Sequence, residues 1–176
     1  IELRIVASVA EDPGMMEAFH SGIDIHTATA AKVFGVEVSD VTKDQRYKAK
    51  SVNFGLIYGQ GAFGLAQNLG IKRGEARELI DSYFEQFGGV KTYMDETIKY
   101  CRKHGYVKTL MGRKRFIPDI NSSNQTVVGF AERNAINAPI QGSAADMIKL
   151  AMINIHNRFS KMNIGTKMLL QVHDEL

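Results

Sequence analysis

Four side chains impose a helical period on this chain: Arg46, Lys50, Phe54 and Tyr58 stand four residues apart. Steps of four on an α-helix advance each side chain by roughly 40° beyond a full turn, so the first three share a stripe roughly 80° wide. Tyr58 falls at the trailing edge, roughly 18 Å along the axis from Arg46. Thr42 and Gln45 have capping-box spacing, which starts this helix just before Arg46 and lets it run to Gly59. A face that runs cation, cation, aromatic, phenol suits a ligand that is polyanionic at one end and flat at the other, as a nucleoside triphosphate is. The same period also fits an ordinary amphipathic helix whose basic residues are solvated.

A chain of 176 residues can bury a core of its own or form part of a larger domain. Its 44% hydrophobic and 23% charged residues place it among ordinary globular proteins. No apolar run approaches the roughly 18–20 residues that a membrane span needs, and no signal peptide opens the chain, so no membrane partner is expected. The single cysteine, Cys101, cannot make an internal disulfide, which fits a reducing compartment and a cytoplasmic location. Net charge is only +3, so its distribution carries the argument. Between Thr97 and Pro118 lie Lys99, Arg102, Lys103, Lys108, Arg113, Lys114 and Arg115, with no acid. Such a stretch attracts phosphate backbones, or is a solvated surface with acidic neighbours in space. Both ends, at Ile1 and Leu176, cut through apolar, strand-like sequence, so the chain reads as a piece of a longer protein.

The rest of the chain is mostly helical, with strand character concentrated at its ends. Ile1 to Ala10 is a short apolar segment, and Asp12-Pro13-Gly14 marks a turn. Asp24 caps a helix that stops at Gly35. Glycines 59, 61 and 64 are expected to make a loop. Helices follow over 73–87 and 90–104, separated by Gly88-Gly89. Tyr106 to Ile117 reads as a hairpin turning at Gly112-Arg113. Helix returns over 125–137, is interrupted at Pro139, and resumes to about 159. Thr166 to Val172 has the composition of a buried strand and leads into His173-Asp174-Glu175.

Three motif matches mislead. Gly59-Gln-Gly61-Ala-Phe-Gly64 spells a dinucleotide fingerprint, but that fingerprint must follow a strand, and here a helix precedes it. The last four residues spell a lumenal retention signal without a secretory entry segment. The five histidines lack metal-ligand spacing with the lone cysteine.

Taken together, four segments resemble the family A DNA polymerases, the bacterial DNA polymerase I type. Ile1-Glu2-Leu3-Arg4-Ile5-Val6-Ala7 resembles the second half of that family's motif A, and Arg46 to Gly59 resembles motif B, the nucleotide-binding helix of the fingers. Arg133 to Gly142 resembles the helix that touches primer and template, and Gln171-Val-His173-Asp174-Glu175 resembles motif C. The resemblance implies a mainly α fold with short β segments: the fingers of a right-hand polymerase (21–135) between two palm strips (1–20 and 136–176). It implies template-directed DNA synthesis in replication and repair, with nucleotidyl transfer from a dNTP to a primer 3′-hydroxyl and two Mg²⁺ ions. Expected partners are primer–template DNA and dNTP, and the protein is expected to be monomeric. The family's motif A aspartate would lie just upstream of Ile1, so this stretch by itself is expected to be inactive. A phage-type single-subunit RNA polymerase has a similar motif B, but Glu2 and its context favour deoxynucleotides. A catalytically dead DNA-binding homologue is the other alternative.

By the same resemblance, Lys50 and Arg46 hold the triphosphate near its α- and γ-phosphates, and His26 reaches the phosphates. Phe54 packs on sugar and base, and Tyr58 closes the base-pair pocket. Glu2 excludes a 2′-hydroxyl and is expected to accept a hydrogen bond from Tyr58. Arg133, Asn137, Gln141 and His173 contact DNA; amide and guanidinium groups suit the acceptors every base pair shows in the minor groove. Asp174 is the metal ligand, with Glu175 as supporting carboxylate and Lys50 as the catalytic cation. Because Pro139 interrupts the backbone, Gln141 is not guaranteed a place on the same straight helix as Arg133.

Overall fold

In the computed structural model, residues 1–162, 165–173 and 175 are described. Helices carry most of them and a two-stranded hairpin supplies the only named sheet among them, so the expected mainly α architecture with short β segments holds.

The amino terminus corrects the sequence reading. Residues 1–10 form no strand; Glu2–Val9 is a helix, α1, that buries Leu3, Ile5, Val6 and Ala7 while Arg4 and Ser8 stay exposed. Leu3, Val6 and Ala7 sit at i, i+3 and i+4, and a short apolar run cannot be told from a buried helix until its neighbours are known. The Asp12-Pro13-Gly14 turn is the start of a further helix, α2 (Pro13–His20). Asp12 accepts from the Met15 backbone N–H at 3.0 Å, and Pro13 occupies the first turn, where its missing N–H costs nothing. The second oxygen of this buried carboxylate accepts from the Gly89 backbone N–H at 3.0 Å. Only glycine fits there, because a Cβ on residue 89 would stand 2.8 Å from the Ala10 carbonyl oxygen.

Helix α3 (Ile25–Phe34) starts at Asp24, which accepts from Thr27 N–H at 2.9 Å, and ends at Gly35 in the left-handed region. Helix α4 (Lys43–Ile57) opens on the expected Thr42–Gln45 capping box and closes at Tyr58, after which Gly59 turns the chain at φ +71°. The glycines that follow do not form a loop as far as Gly64. Gly61 caps α5 (Ala62–Leu69), and Gly64 lies inside it. Next come α6 (Arg73–Gln86) and α7 (Gly88–His104), with the break at Phe87 rather than at the glycine pair. β1 (Tyr106–Lys108) and β2 (Lys114–Phe116) pair antiparallel, Val107 opposite Arg115.

Residues Gln125–Met162 form one 38-residue helix, α8, so the expected interruption at Pro139 is absent. A proline inside a helix removes one backbone donor and costs about 3 kcal/mol. Packing offsets that cost here. Ala135 and Ala138 are buried in a small core with Cys101, Val107, Ile117, Ile120 and Ala131, while Ile140 belongs to the main core. A kink at Pro139 would unseat one of the two. The main core joins Val6, Met15, Val52, Leu56, Leu65, Ala76 and Tyr83, and so ties α1, α2, α4, α5 and α6 together.

The expected strand over Thr166 to Val172 is also corrected. Among the described residues it meets no partner strand; the only pairing is the bridge between Val172 and Glu175, and Leu169 is 87% exposed. Apolar, strand-like composition becomes a strand only when another backbone satisfies its N–H and C=O groups.

Candidate nucleotide and DNA-binding site

Helix α4 presents its stripe beside α3. Lys50, Phe54 and Tyr58 line one open groove of about 440 Å³ together with Tyr47, Ser51, Gly55, Gln60 and Asn68. The Phe54 and Tyr58 rings lie 6.2 Å apart and within 20° of parallel, the offset-stacked geometry that aromatic quadrupoles prefer. Lys50 is exposed, and no acid among the described residues lies within ion-pair distance of it. Arg46 is placed differently. Its guanidinium reaches back to Asp24 in a bidentate pair, Nε at 2.9 Å and Nη2 at 3.1 Å. Burial pushes the Asp24 carboxyl upward, but the hydrogen bonds from Arg46 and Thr27 outweigh it and hold the pKa at about 2.

His26, on α3, tilts against Phe54 with ring centroids 5.5 Å apart. Its Nδ1 faces the Asn53 side-chain nitrogen at 3.1 Å. Burial lowers the imidazole pKa; Asp24 pulls the other way, and the charges of Arg46 and Lys50 lower it further. The ring is therefore neutral near neutral pH.

The junction of α1, α4 and α8 holds the expected contact between Tyr58 and Glu2. The phenol donates to Glu2 Oε2 at 2.5 Å, a short charge-assisted hydrogen bond. Burial, this bond and the Glu2 charge push the phenol up to about 12, while a hydrogen bond with Gln141 works in the opposite direction.

Because α8 is unbroken, Arg133, Asn137 and Gln141 keep their helical spacing, and Gln141 is not displaced by Pro139. The Arg133 stem packs on Gly59, where any Cβ would collide with it, and its guanidinium sits 5.8 Å from the Phe130 ring. Asn137 Oδ1 is buried without a hydrogen-bond partner among the described residues. The basic stretch is partly neutralised from α8: Arg102 pairs with Glu132 at 2.7 Å and Arg113 with Asp146 at 2.9 Å. The hairpin is further docked by Ser143, whose hydroxyl accepts from Leu110 N–H at 2.9 Å.

The described carboxy-terminal residues His173 and Glu175 are not brought into this site. His173 is exposed at φ +54°, and Glu175 lies in a separate groove with Ile155 and Phe159 of α8. Asp174, the expected metal ligand, lies outside the described residues. Among the described residues no three His, Cys, Asp or Glu side chains converge as a cation site.

The sequence reading did not single out Asn53, which meets His26 from the buried side of α4. A signal was present, since Ala49, Val52, Asn53 and Leu56 share the buried face of α4 and only Asn53 is polar. Asp24 was read as a cap alone; its second role needs α4 alongside and has no signature in the chain.

The profile of DNA polymerase family A matches residues 1–176. The chain belongs to DNA polymerase family A. It is 52% identical to the DNA polymerase I of Caldicellulosiruptor bescii, 55% to that of Streptococcus pneumoniae serotype 4 and 53% to that of Geobacillus stearothermophilus, over its whole length in each case. It spans about a fifth of those proteins, 21%, 20% and 20% respectively. A solved structure of the POL domain of Pol1 from M. smegmatis, in complex with DNA primer-template and dNTP, superposes with a TM-score of 0.95 at 45% identity. That superposition covers 99% of this chain and 31% of the other. Within family A, the described fold is that of a fingers-and-palm portion of a right-hand polymerase. No helix among the described residues is long and apolar enough to cross a membrane.

Proposed function

We propose that this chain forms the nucleotide-binding fingers and adjoining palm of a DNA-directed DNA polymerase, which transfers a nucleotidyl group from dNTP to a primer 3′-hydroxyl under template direction. One observation carries the reading: Lys50, a cation with no ion-pair partner among the described residues, shares a groove with the stacked pair Phe54 and Tyr58, and Glu2 locks Tyr58 from the neighbouring helix. Lys50 stabilises charge on the α-phosphate as it develops. His26 offers a hydrogen bond to the phosphates, and Phe54 and Tyr58 stack on the sugar and base. Arg46 takes the γ-phosphate by exchanging the Asp24 carboxylate for it. Glu2 occupies the space beside C2′ and so selects deoxynucleotides. Arg133, Asn137 and Gln141 check base-pair geometry from the minor groove, and His173 meets the primer terminus.

The fingers are assigned to 21–135 and the palm strips to 1–20 and 136–176, with α8 running through the second boundary. Replication and repair, a cytoplasmic location and a monomeric state complete the proposal. Mg²⁺ would supply Lewis-acid stabilisation, with Asp174 as its ligand on this chain and Glu175 as a supporting carboxylate. The described residues build no such cage, since Glu2 is engaged by Tyr58 and Glu175 stands apart.

Lys50→Ala in the full-length polymerase tests the reading. Losing one preorganised charge at a transition state lowers the rate by roughly 10²–10³, and DNA binding should survive. Equal losses in incorporation and in DNA binding would overturn the assignment.

A further inference from the structure

Behind the groove lies a fully buried polar pair, Asn53 on α4 and Thr29 on α3, both 0% exposed. The Thr29 hydroxyl donates to the Ile25 carbonyl at 2.8 Å, which leaves its oxygen as an acceptor. Asn53 Nδ2 donates one hydrogen to Thr29 Oγ1 at 3.0 Å and the other to His26 Nδ1 at 3.1 Å. Turning the amide over would put its nitrogen in the Oδ1 position, 3.3 Å from Thr29 Oγ1, so the orientation with the shorter contact is favoured. Imidazole Nδ1 can accept that bond only while it carries no proton. Nε2 has no protein hydrogen-bond partner among the described residues.

We propose that Asn53 is a positioning residue that fixes His26 as the neutral tautomer protonated at Nε2, so that the ring offers a donor to the anionic tail of the nucleotide. This deepens the nucleotide-site reading and rests on it. The other tautomer would present a lone pair to phosphate oxygen, which repels it. Protonating the ring would break a bond to a buried amide, leaving that amide unsatisfied. Burial of the ring favours the same state, and among the charged groups that face it Arg46 and Lys50 from α4 act with burial while Asp24 at the cap of its own helix acts against it. The pair thus adds a hydrogen bond without a third cation, and binding stays insensitive to pH around neutrality.

The deciding measurement is a long-range ¹⁵N–¹H correlation spectrum of the nucleotide-free, full-length protein labelled at histidine, with His26 assigned by its loss in His26→Gln. A proton on Nε2 and a bare Nδ1 through the neutral range are expected; a proton on Nδ1 overturns the proposal. Because this reading needs no change at Asn53, it stands whether or not Asn53 variants fold. Single-turnover incorporation supplies the functional arm. Asn53→Leu should weaken apparent dNTP affinity about three- to tenfold, the worth of one hydrogen bond, while the maximal rate changes less. Asn53→Asp should draw the proton to Nδ1 and create a pH step in dNTP affinity that Asn53→Asp/His26→Gln lacks; a flat profile for a folded Asn53→Asp overturns the relay. Unchanged dNTP affinity in His26→Gln together with an unchanged maximal rate in Lys50→Ala would instead sink the nucleotide-site reading, and the nucleotide-free spectrum tells the two failures apart.

Discussion

Asp24 performs two tasks, and single substitutions separate them. Its carboxylate caps α3 through Thr27 N–H at 2.9 Å and pairs with Arg46 at 2.9 and 3.1 Å. A pKa held at about 2 instead of 3.8 is worth about 2.5 kcal/mol at 1.36 kcal/mol per unit if the group were shielded from water. The Asp24 side chain is 43% exposed and that of Arg46 46%, so solvent screening cuts this to about 1 kcal/mol. An N-cap contributes about 1 kcal/mol, and asparagine caps as well as aspartate. Asp24→Asn should therefore cost about 1 kcal/mol or less and Asp24→Ala about 2 kcal/mol, measured by urea denaturation at neutral pH. The folded-state pKa is depressed, so the ion-pair contribution is fully present above the unfolded value of 3.8 and is lost as pH falls towards about 2. The gap between the wild type and Asp24→Asn should close over that window. Equal destabilisation by Asn and Ala at neutral pH, or a gap that persists in acid, would refute the reasoning. A second consequence concerns the ligand. With no carboxylate to displace, Arg46 in Asp24→Asn should bind triphosphate up to about fivefold more tightly, the equivalent of about 1 kcal/mol.

Other expectations follow from single contacts. Glu2→Ala in the full-length enzyme should raise ribonucleotide incorporation, and it should let the Tyr58 phenol fall from about 12 towards its ordinary value of 10.0, seen by ultraviolet titration; unchanged sugar selectivity would contradict the gate. Gly89→Ala should destabilise by about 1–2 kcal/mol: a Cβ there meets backbone that cannot step aside, and this outweighs the gain in helix propensity. Denaturant midpoints would show it. Pro139→Ala should stabilise by about 1–2 kcal/mol, since a donor for the Ala135 carbonyl is restored and only part of the gain is offset by a freer unfolded chain. A loss of stability would mean that α8 depends on proline at this position.

Local signals were legible wherever the physics is local. The Thr42–Gln45 box, the Asp24 cap, the Gly35 stop and the turn at Gly112 each involve groups a few residues apart, and each is found where the chain suggests. The four-residue stripe on α4 is of the same kind, and so is the family resemblance it carries. Misreadings came where burial overrides propensity: α1 is apolar enough to pass for a strand, and α8 runs straight through a proline because cores on both sides hold it. Which α4 residues share a helical side was thus written in the chain, because a helix repeats every 3.6 residues whatever surrounds it. That Arg46 rests on Asp24, that Asn53 turns inward to His26 and that Tyr58 meets Glu2 was decided only in three dimensions. Each joins residues 22 to 56 positions apart. No local preference specifies such a distance; the packing of α1, α3 and α4 on one core does.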